Sequence, residues 1–77
     1  MISQDWTSIR RQLRGRRLAL GWSQQQLATK IEVGQSMISE WETGVTVPVV
    51  TNLLIWMWAL GMNMFIYPDP DGVSPWQ

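Results

Sequence analysis

The sequence predicts a small all-α domain of four helices followed by a short C-terminal β-strand, and three observations point to this fold class. Apolar residues recur at helical spacing over most of residues 6–61, glycines follow three of these patterns, and only residues 63–67 read as a strand. With 77 residues the chain has room for one small core. It contains no cysteine and no histidine, which excludes disulfides and the usual zinc sites and leaves self-association as a source of stability.

The charges cancel in sum but are unevenly distributed. All six basic residues lie between positions 10 and 30, and the six acidic residues flank that block. A net charge of zero argues against indiscriminate binding of polyanions. The uncharged stretch from Thr43 to Pro68 is interrupted by polar residues and barely reaches the roughly 20 residues of a membrane-spanning helix. The polar, then basic N-terminus is unlike a signal peptide. We therefore expect a cytoplasmic protein without a membrane segment.

The first two helices follow each other closely. One apolar stripe predicts a helix over residues 6–20, formed by Trp6, Ile9, Leu13 and Leu20. Gly21 suits its C-terminus, where a residue with positive φ is needed. Ser23 and Gln26 match the S-x-x-Q capping box, which predicts a second helix ending at residue 31.

A third helix over residues 35–43 separates its apolar and polar side chains cleanly. The face predicted to point inward carries Met37, Ile38 and Trp41. The opposite face consists of short hydrogen-bonding residues, namely Gln35, Ser36, Ser39, Glu40 and Thr43. Because an ordinary surface helix carries long charged residues, this face calls for a functional explanation.

A fourth helix is predicted with Pro48 in its first turn and its end near Gly61. The side expected to face the core is lined by Val49, Leu53, Trp56, Met57 and Leu60. The other side is apolar too and carries Leu54, Ile55 and Trp58. A helix that is apolar nearly all round is buried on more than one side, so in so small a domain we expect the second side to meet another chain.

The strand predicted at residues 63–67 is apolar on both faces and is stopped by Pro68. A lone strand cannot satisfy its own backbone hydrogen bonds, and no other segment is a good strand candidate. Its simplest partner is the same strand of a second copy. We therefore expect a homodimer whose interface comprises Leu54, Ile55, Trp58, Met64, Phe65, Ile66 and Tyr67.

The two tightly joined helices, "SQQQLATKIEVGQSMISEWETG", resemble the helix-turn-helix of the phage Cro and repressor (XRE-type) family. The resemblance covers residues 9–61 and includes "IRRQLRGRRLALGWSQQQLA" before the turn, "ISEWETG" after it, and Pro48 with "ALG" further on. It implies a lambda-repressor-like four-helix fold in which the third helix lies in the major groove of DNA. The domains are then a helix-turn-helix DNA-binding domain at 1–61, a dimerisation strand at 62–68 and a mobile tail at 69–77.

The resemblance gives the polar face of the third helix a role. Side chains that read bases must be short and carry donors or acceptors; Gln can pair with adenine through N6 and N7, and Ser can contact either base type. The implied base-reading residues are Gln35, Ser36, Ser39 and Glu40. Glu40 either accepts from cytosine N4 or repels phosphate, and the alternative for all four is that they are polar because they face solvent.

Phosphate contacts and one ion pair are also implied by the resemblance. The phosphate contacts are Gln24, Ser23, Thr43, Arg10 and Arg14, with Gln24 also bracing the first reading residue. The alternatives are that Ser23 only caps its helix and that the arginines are only solvated. The family pairs the positions of Arg17 and Glu42 in a partly buried ion pair.

The sequence departs from the family pattern in two places. Glu32 stands where the turn usually has glycine, and Gly34 stands where a serine or threonine cap is common; either Glu32 adopts a left-handed backbone or the turn is shifted. The loop "VTVP" lacks the lysines and arginines that often contact phosphates there. We therefore expect modest affinity for random DNA with a shallow salt dependence, and specific binding only as a dimer on two half-sites about one helical turn (~34 Å) apart.

Together these patterns predict a sequence-specific transcriptional regulator, a Cro-like phage or prophage repressor that acts on double-stranded DNA near the host nucleoid by occluding a promoter. Catalytic residues, a metal site and a cofactor are not predicted, because paired carboxylates in an apolar pocket and phosphate-binding loops are missing from the sequence. Two alternatives stay open. The segment "LGMNMFIYP" resembles the dimerising strand of XRE-type antitoxins, which bind an operator and a toxin. The chain could also be a protein-binding module that has lost DNA binding.

Overall fold

The structure, a computed structural model, describes residues 5–64, and the four helices found there confirm the all-α fold class. Their bounds are α1 Trp6–Ala19, α2 Gln24–Lys30, α3 Gln35–Thr43 and α4 Val50–Ala59. Between residues 5 and 64 no strand occurs. Of the predicted strand, Asn63 and Met64 are described and are not in a strand, whereas Phe65, Ile66 and Tyr67 lie outside the described residues. None of the helices in this part of the chain has the length and apolar character needed to cross a membrane.

The first two helices begin at side-chain caps, of which the sequence predicts the one at α2. Asp5 caps α1 by accepting a hydrogen bond from the Ser8 amide at 2.8 Å. At the start of α2 the Ser23 hydroxyl accepts from the Gln26 amide at 3.0 Å, and the Gln26 side chain accepts from the Ser23 amide at 2.7 Å. This reciprocal pair satisfies two backbone donors that the first turn leaves without a helical partner.

The other two helices begin without a side-chain cap. Gly34 occupies the cap position of α3, and Val49 occupies that of α4. The prediction that Pro48 lies in the first turn of the fourth helix is therefore wrong. Pro48 precedes the cap residue and is buried, and its fixed φ and missing N–H are equally compatible with the extended segment that leads into the helix.

All four helices end in the same kind of turn, in which a left-handed residue directs backbone amides back to the last helical carbonyls. Glycine occupies this position after α1, α3 and α4, whereas after α2 it is Glu32, with φ 61°. The Glu32 amide donates to Thr29 O at 3.3 Å and the Val33 amide to Ala28 O at 2.9 Å. Of the two alternatives for the turn, the left-handed glutamate is the correct one.

The core is built around Trp56, which is fully buried. Its ring centroid lies 5.4 Å from that of Trp41 in a tilted arrangement and 6.4 Å from that of Trp6 in an edge-to-face arrangement. The other buried apolar residues are Leu13, Leu27, Ala28, Ile38, Ala59 and Leu60. Full burial of a large apolar side chain contributes about 1.5–3 kcal/mol, so burial of these residues is a major favourable contribution to folding.

Two residues predicted to face the core are exposed. Val49 is 63% exposed because it is the extended cap residue of α4 and not part of its apolar side. Met37 is 42% exposed because the buried side of α3 is formed by Ile38, Trp41 and the charged Glu42. The buried side of α3 thus extends toward Glu42 and not toward Met37.

Candidate nucleic-acid interface

The outward side of α3 presents amide and hydroxyl groups to solvent. Gln35 and Ser36 are exposed, and Ser39 and Glu40 are half-buried one turn further along. These side chains lie on the side opposite the buried residues Ile38 and Trp41, which anchor the helix. The result is a short helix whose free face offers hydrogen-bond donors and acceptors and is bordered by the partly exposed Met37.

The beginning of α2 lies beside the beginning of α3. The Gln35 Nε2 group donates to Gln24 Oε1 at 2.6 Å, so the first side chain of α2 holds the first side chain of α3. Ser23, the residue before, has its hydroxyl oxygen in the capping box. The N-terminal ends of α2 and α3 therefore lie close together, and a helix N-terminus is a place where backbone N–H groups and the helix dipole favour an anion.

Glu42 is a buried carboxylate on the inner side of α3, with a side chain that is 1% exposed. Arg17 of α1 binds it with two parallel hydrogen bonds, from Nε to Oε2 at 2.7 Å and from Nη2 to Oε1 at 2.9 Å. Arg17 Nη1 also donates to the Trp22 carbonyl at 2.7 Å. Gln24 Nε2 donates to the same Glu42 Oε1 at 3.1 Å, which connects the buried pair to the exposed Gln35.

Two further arginines of α1 approach Glu42. Arg10 Nη1 donates to the backbone carbonyl of Glu42 at 3.0 Å, and Arg14 Nε lies 3.9 Å from Glu42 Oε1 with a side chain that is 57% exposed. Arg10, Arg14 and Arg17 occupy one face of α1 because they are four and three residues apart. Sequence reasoning assigned Arg10 and Arg14 to phosphate contacts and missed this anchoring role, although the spacing of the three arginines is a signal for it.

Thr43, at the far end of α3, uses its hydroxyl within the helix. Its Oγ1 group donates to the Ser39 carbonyl at 2.8 Å. A hydroxyl has one proton to donate, so a contact from Thr43 to a phosphate oxygen requires the hydroxyl to rotate away from Ser39. The loop that follows is uncharged and exposes Val45 and Val47.

The outer side of α4 is apolar and exposed. Trp58 is 75% exposed, and Leu54 and Ile55 are each 45% exposed. Met64, near the end of the described residues, is 47% exposed. Large apolar side chains that stand together at a surface mark sites of protein association.

Four helices with a tight α2–α3 turn, an anchored third helix and an outward polar face define a helix-turn-helix DNA-binding domain. A family model described as "Helix-turn-helix" matches residues 13–63, which is more than half of the chain. The chain belongs to the XRE-type helix-turn-helix family and is a DNA-binding transcriptional regulator of that type. No curated protein and no solved structure matches it.

Proposed function

We propose that this regulator is a Cro-like repressor that binds a palindromic operator as a homodimer, with α3 in the major groove. The observation that carries the proposal is the exposed polar face of α3, whose first residue, Gln35, is held by Gln24. Recognition helices of this class direct their N-terminal residues toward base edges. The base-reading residues are then Gln35, Ser36, Ser39 and Glu40.

Phosphate contacts in this arrangement come from the N-terminal end of α2 and from exposed cations of α1. Gln24 and Ser23 stand where backbone amides of α2 favour an anion, and Arg14 is the more exposed of the two proposed arginines. Arg10 and Thr43 already donate hydrogen bonds to protein carbonyls. Arg10 contacts phosphate through its remaining N–H groups, and Thr43 does so after its hydroxyl rotates. Such contacts position the helix but carry no sequence information.

Dimerisation follows from the geometry of an operator with two half-sites. A single α3 reads only one half-site, so a palindrome requires a second copy about one helical turn (~34 Å) away. The apolar residues Leu54, Ile55 and Trp58 support this, because their exposure in one protomer is unfavourable unless a partner covers them. Met64 and the residues Phe65, Ile66 and Tyr67 complete the interface that the sequence predicts.

Selection from a pool of random duplexes, at one stated salt concentration, tests DNA recognition. We expect enrichment of an inverted repeat, and a loss of roughly 10- to 100-fold in binding to it for Gln35→Ala and for Ser36→Ala. Gln25→Ala is the matched control, because Gln25 is exposed on α2 and its side chain donates to Thr29 of the same helix, at 3.1 Å. Binding by both α3 variants that equals the wild type would overturn the proposal.

The apolar side of α4 also favours a second candidate, in which this surface binds a different protein, as in an XRE-type antitoxin or in a module without DNA binding. Sedimentation of wild type and Trp58→Glu separates the candidates. The repressor proposal expects a wild-type dimer that Trp58→Glu converts to monomer, with Val45→Glu, the same change at a loop valine that is 72% exposed, remaining dimeric. A monomeric wild type that selects no DNA sequence supports the protein-binding module.

A further inference from the structure

We propose that Trp58 of each protomer inserts into a groove of a second copy of this chain, and that this reciprocal contact holds the dimer together. The groove lies between α1 and the residues that follow α4. This inference rests on the proposed homodimer and deepens it, because it adds α1 to an interface otherwise assigned to α4 and the residues after it.

The groove has apolar walls and the size of an aromatic side chain. Ile9, Gln12 and Leu13 of α1 form one wall, and Met57 with residues 62–64 forms the other. The volume of the groove is about 280 Å³, and none of these residues is charged. An engineered apolar cavity of roughly 150 Å³ binds benzene, so the groove has room for a larger ring system. Its lining therefore favours an uncharged aromatic occupant.

Trp58 is the side chain that gains most from such a site. It is 75% exposed, more than any other large apolar side chain between residues 5 and 64. Met57, Met62 and Met64 line the groove with thioether groups, which make favourable contacts with aromatic rings. A buried indole N–H also needs an acceptor, and the exposed Asn63 in the same wall carries an amide oxygen.

The groove and Trp58 adjoin each other on one protomer. Met57 and Trp58 are consecutive, and Leu54 lies one turn before both, so the apolar surface continues from the groove across Leu54 to Trp58. In a two-fold dimer every contact occurs twice. When Trp58 enters the partner's groove, the partner's Trp58 enters the groove of the first protomer. A second copy is therefore the occupant that uses both adjoining features at once.

The area that this contact buries is sufficient for a dimer. Two indoles bury about 300–500 Å² in total, and the groove walls that cover them lose a comparable area. Leu54 and Ile55, each 45% exposed, are neighbours of Trp58 on α4 and add further area. Specific interfaces bury about 1,200–2,000 Å², so the two docked tryptophans with their grooves supply a large part of the lower value.

The test is the dimer dissociation constant from sedimentation equilibrium. Trp58→Ala removes the inserting side chain and keeps the groove. Gln12→Trp keeps Trp58 but attaches an indole to the groove wall, where it fills the groove of its own protomer. Gln25→Trp is the matched control, because it makes the same change at an exposed glutamine of α2. Gln12 and Trp58 are exposed too, so we expect all three variants to fold, which melting curves check.

We expect Trp58→Ala and Gln12→Trp each to weaken dimerisation by about tenfold or more, and the control to stay within about threefold of the wild type. An equimolar mixture of Trp58→Ala and Gln12→Trp is the decisive sample. Each homodimer has lost both contacts, whereas the mixed dimer keeps one, from Trp58 of the Gln12→Trp chain to the open groove of the Trp58→Ala chain. The mixed dimer should therefore be about tenfold tighter than either homodimer.

Two results would overturn the inference while leaving the homodimer proposal standing. One is a Gln12→Trp variant that dimerises as well as the control. The other is a mixed dimer no tighter than the two homodimers, which would mean that Trp58 packs against α4 of the partner or that the groove has another occupant. A wild type that remains monomeric would instead overturn the proposed homodimer, and the role of the groove with it.

Discussion

At the scale of single residues, Glu32 is unusual because it is a residue with a Cβ in the left-handed turn that ends α2. It adopts φ 61°, in a position that glycine occupies at the ends of the other three helices. A left-handed backbone costs a residue with a Cβ roughly 1–2 kcal/mol, and glycine avoids most of this cost. Glu32 is exposed, so its side chain is not needed for the core.

Glu32→Gly is therefore expected to stabilise the domain. The gain is about 0.5–1 kcal/mol, because relief of the left-handed conformation exceeds the greater entropy of glycine in the unfolded chain. The measurement is the midpoint of urea unfolding. Gly61→Ala is the opposite control, because φ at Gly61 is 71° and an added Cβ would meet nothing closer than 3.6 Å. A loss of stability in this variant therefore measures the cost of the left-handed backbone and not of a steric clash. An unchanged midpoint for Glu32→Gly would show that the turn is not strained.

At the scale of elements, α1 holds the C-terminal ends of α3 and α4 through its arginines. Arg10 donates to the Glu42 carbonyl, and Arg16 Nε donates to the Leu60 carbonyl at 2.9 Å. Both carbonyls belong to last turns, which carry the negative end of the helix dipole and lack helical partners. Arg17 adds the buried pair with Glu42. The basic block in the sequence is thus largely a means of docking α1 onto the rest of the domain.

Removing Arg17 should destabilise the domain severely. Arg17→Met leaves the Glu42 carboxylate buried without its partner, at an expected loss of about 3–5 kcal/mol, a large part of the 5–15 kcal/mol typical of a domain. The double variant Arg17→Met with Glu42→Met removes the stranded charge and is expected to recover much of that loss. Arg11→Met, at an exposed position on the same helix, changes the unfolding free energy by less than about 0.5 kcal/mol. A loss below 1 kcal/mol in Arg17→Met would contradict this account.

The difference between local and long-range contacts explains how much of this architecture the sequence predicts. The capping box joins residues three apart and is visible directly, and the four helices follow from apolar spacing. The hydrogen bond of Arg10 joins residues 32 apart, so the spacing of the arginines indicates a shared face of α1 but not the carbonyl that Arg10 binds. The error about Pro48 has a different origin, because an extended segment and a first helical turn accept proline equally well and the local sequence does not distinguish them. The polar face of α3 was predictable, but the direction of the Gln24 amide depends on Glu42, 18 residues away.

At the scale of the whole molecule, few cations remain for DNA. Of six basic residues, Arg10 and Arg16 bind carbonyls, Arg17 is buried, and Lys30 lies 5.2 Å from the ring centroid of Trp22. Arg11 and Arg14 are the most available, and the six acidic residues bring the net charge to zero. Under the proposed function, binding depends more on base contacts and on the proposed dimerisation than on general attraction to phosphate.

This charge distribution predicts a shallow salt dependence. Each phosphate neutralised contributes about −0.9 to the slope of log K against log salt, so a dimer that uses two or three cations per protomer should show a slope no steeper than about −5. The measurement is the affinity for the selected operator between 50 and 300 mM salt. Arg14→Gln should flatten the slope by roughly 2 units, one contact in each protomer, whereas Lys30→Gln should leave it unchanged. A wild-type slope near −8 would contradict this account. It would mean that Arg10 and Arg16 bind phosphate, which would require them to break their hydrogen bonds to the ends of α3 and α4.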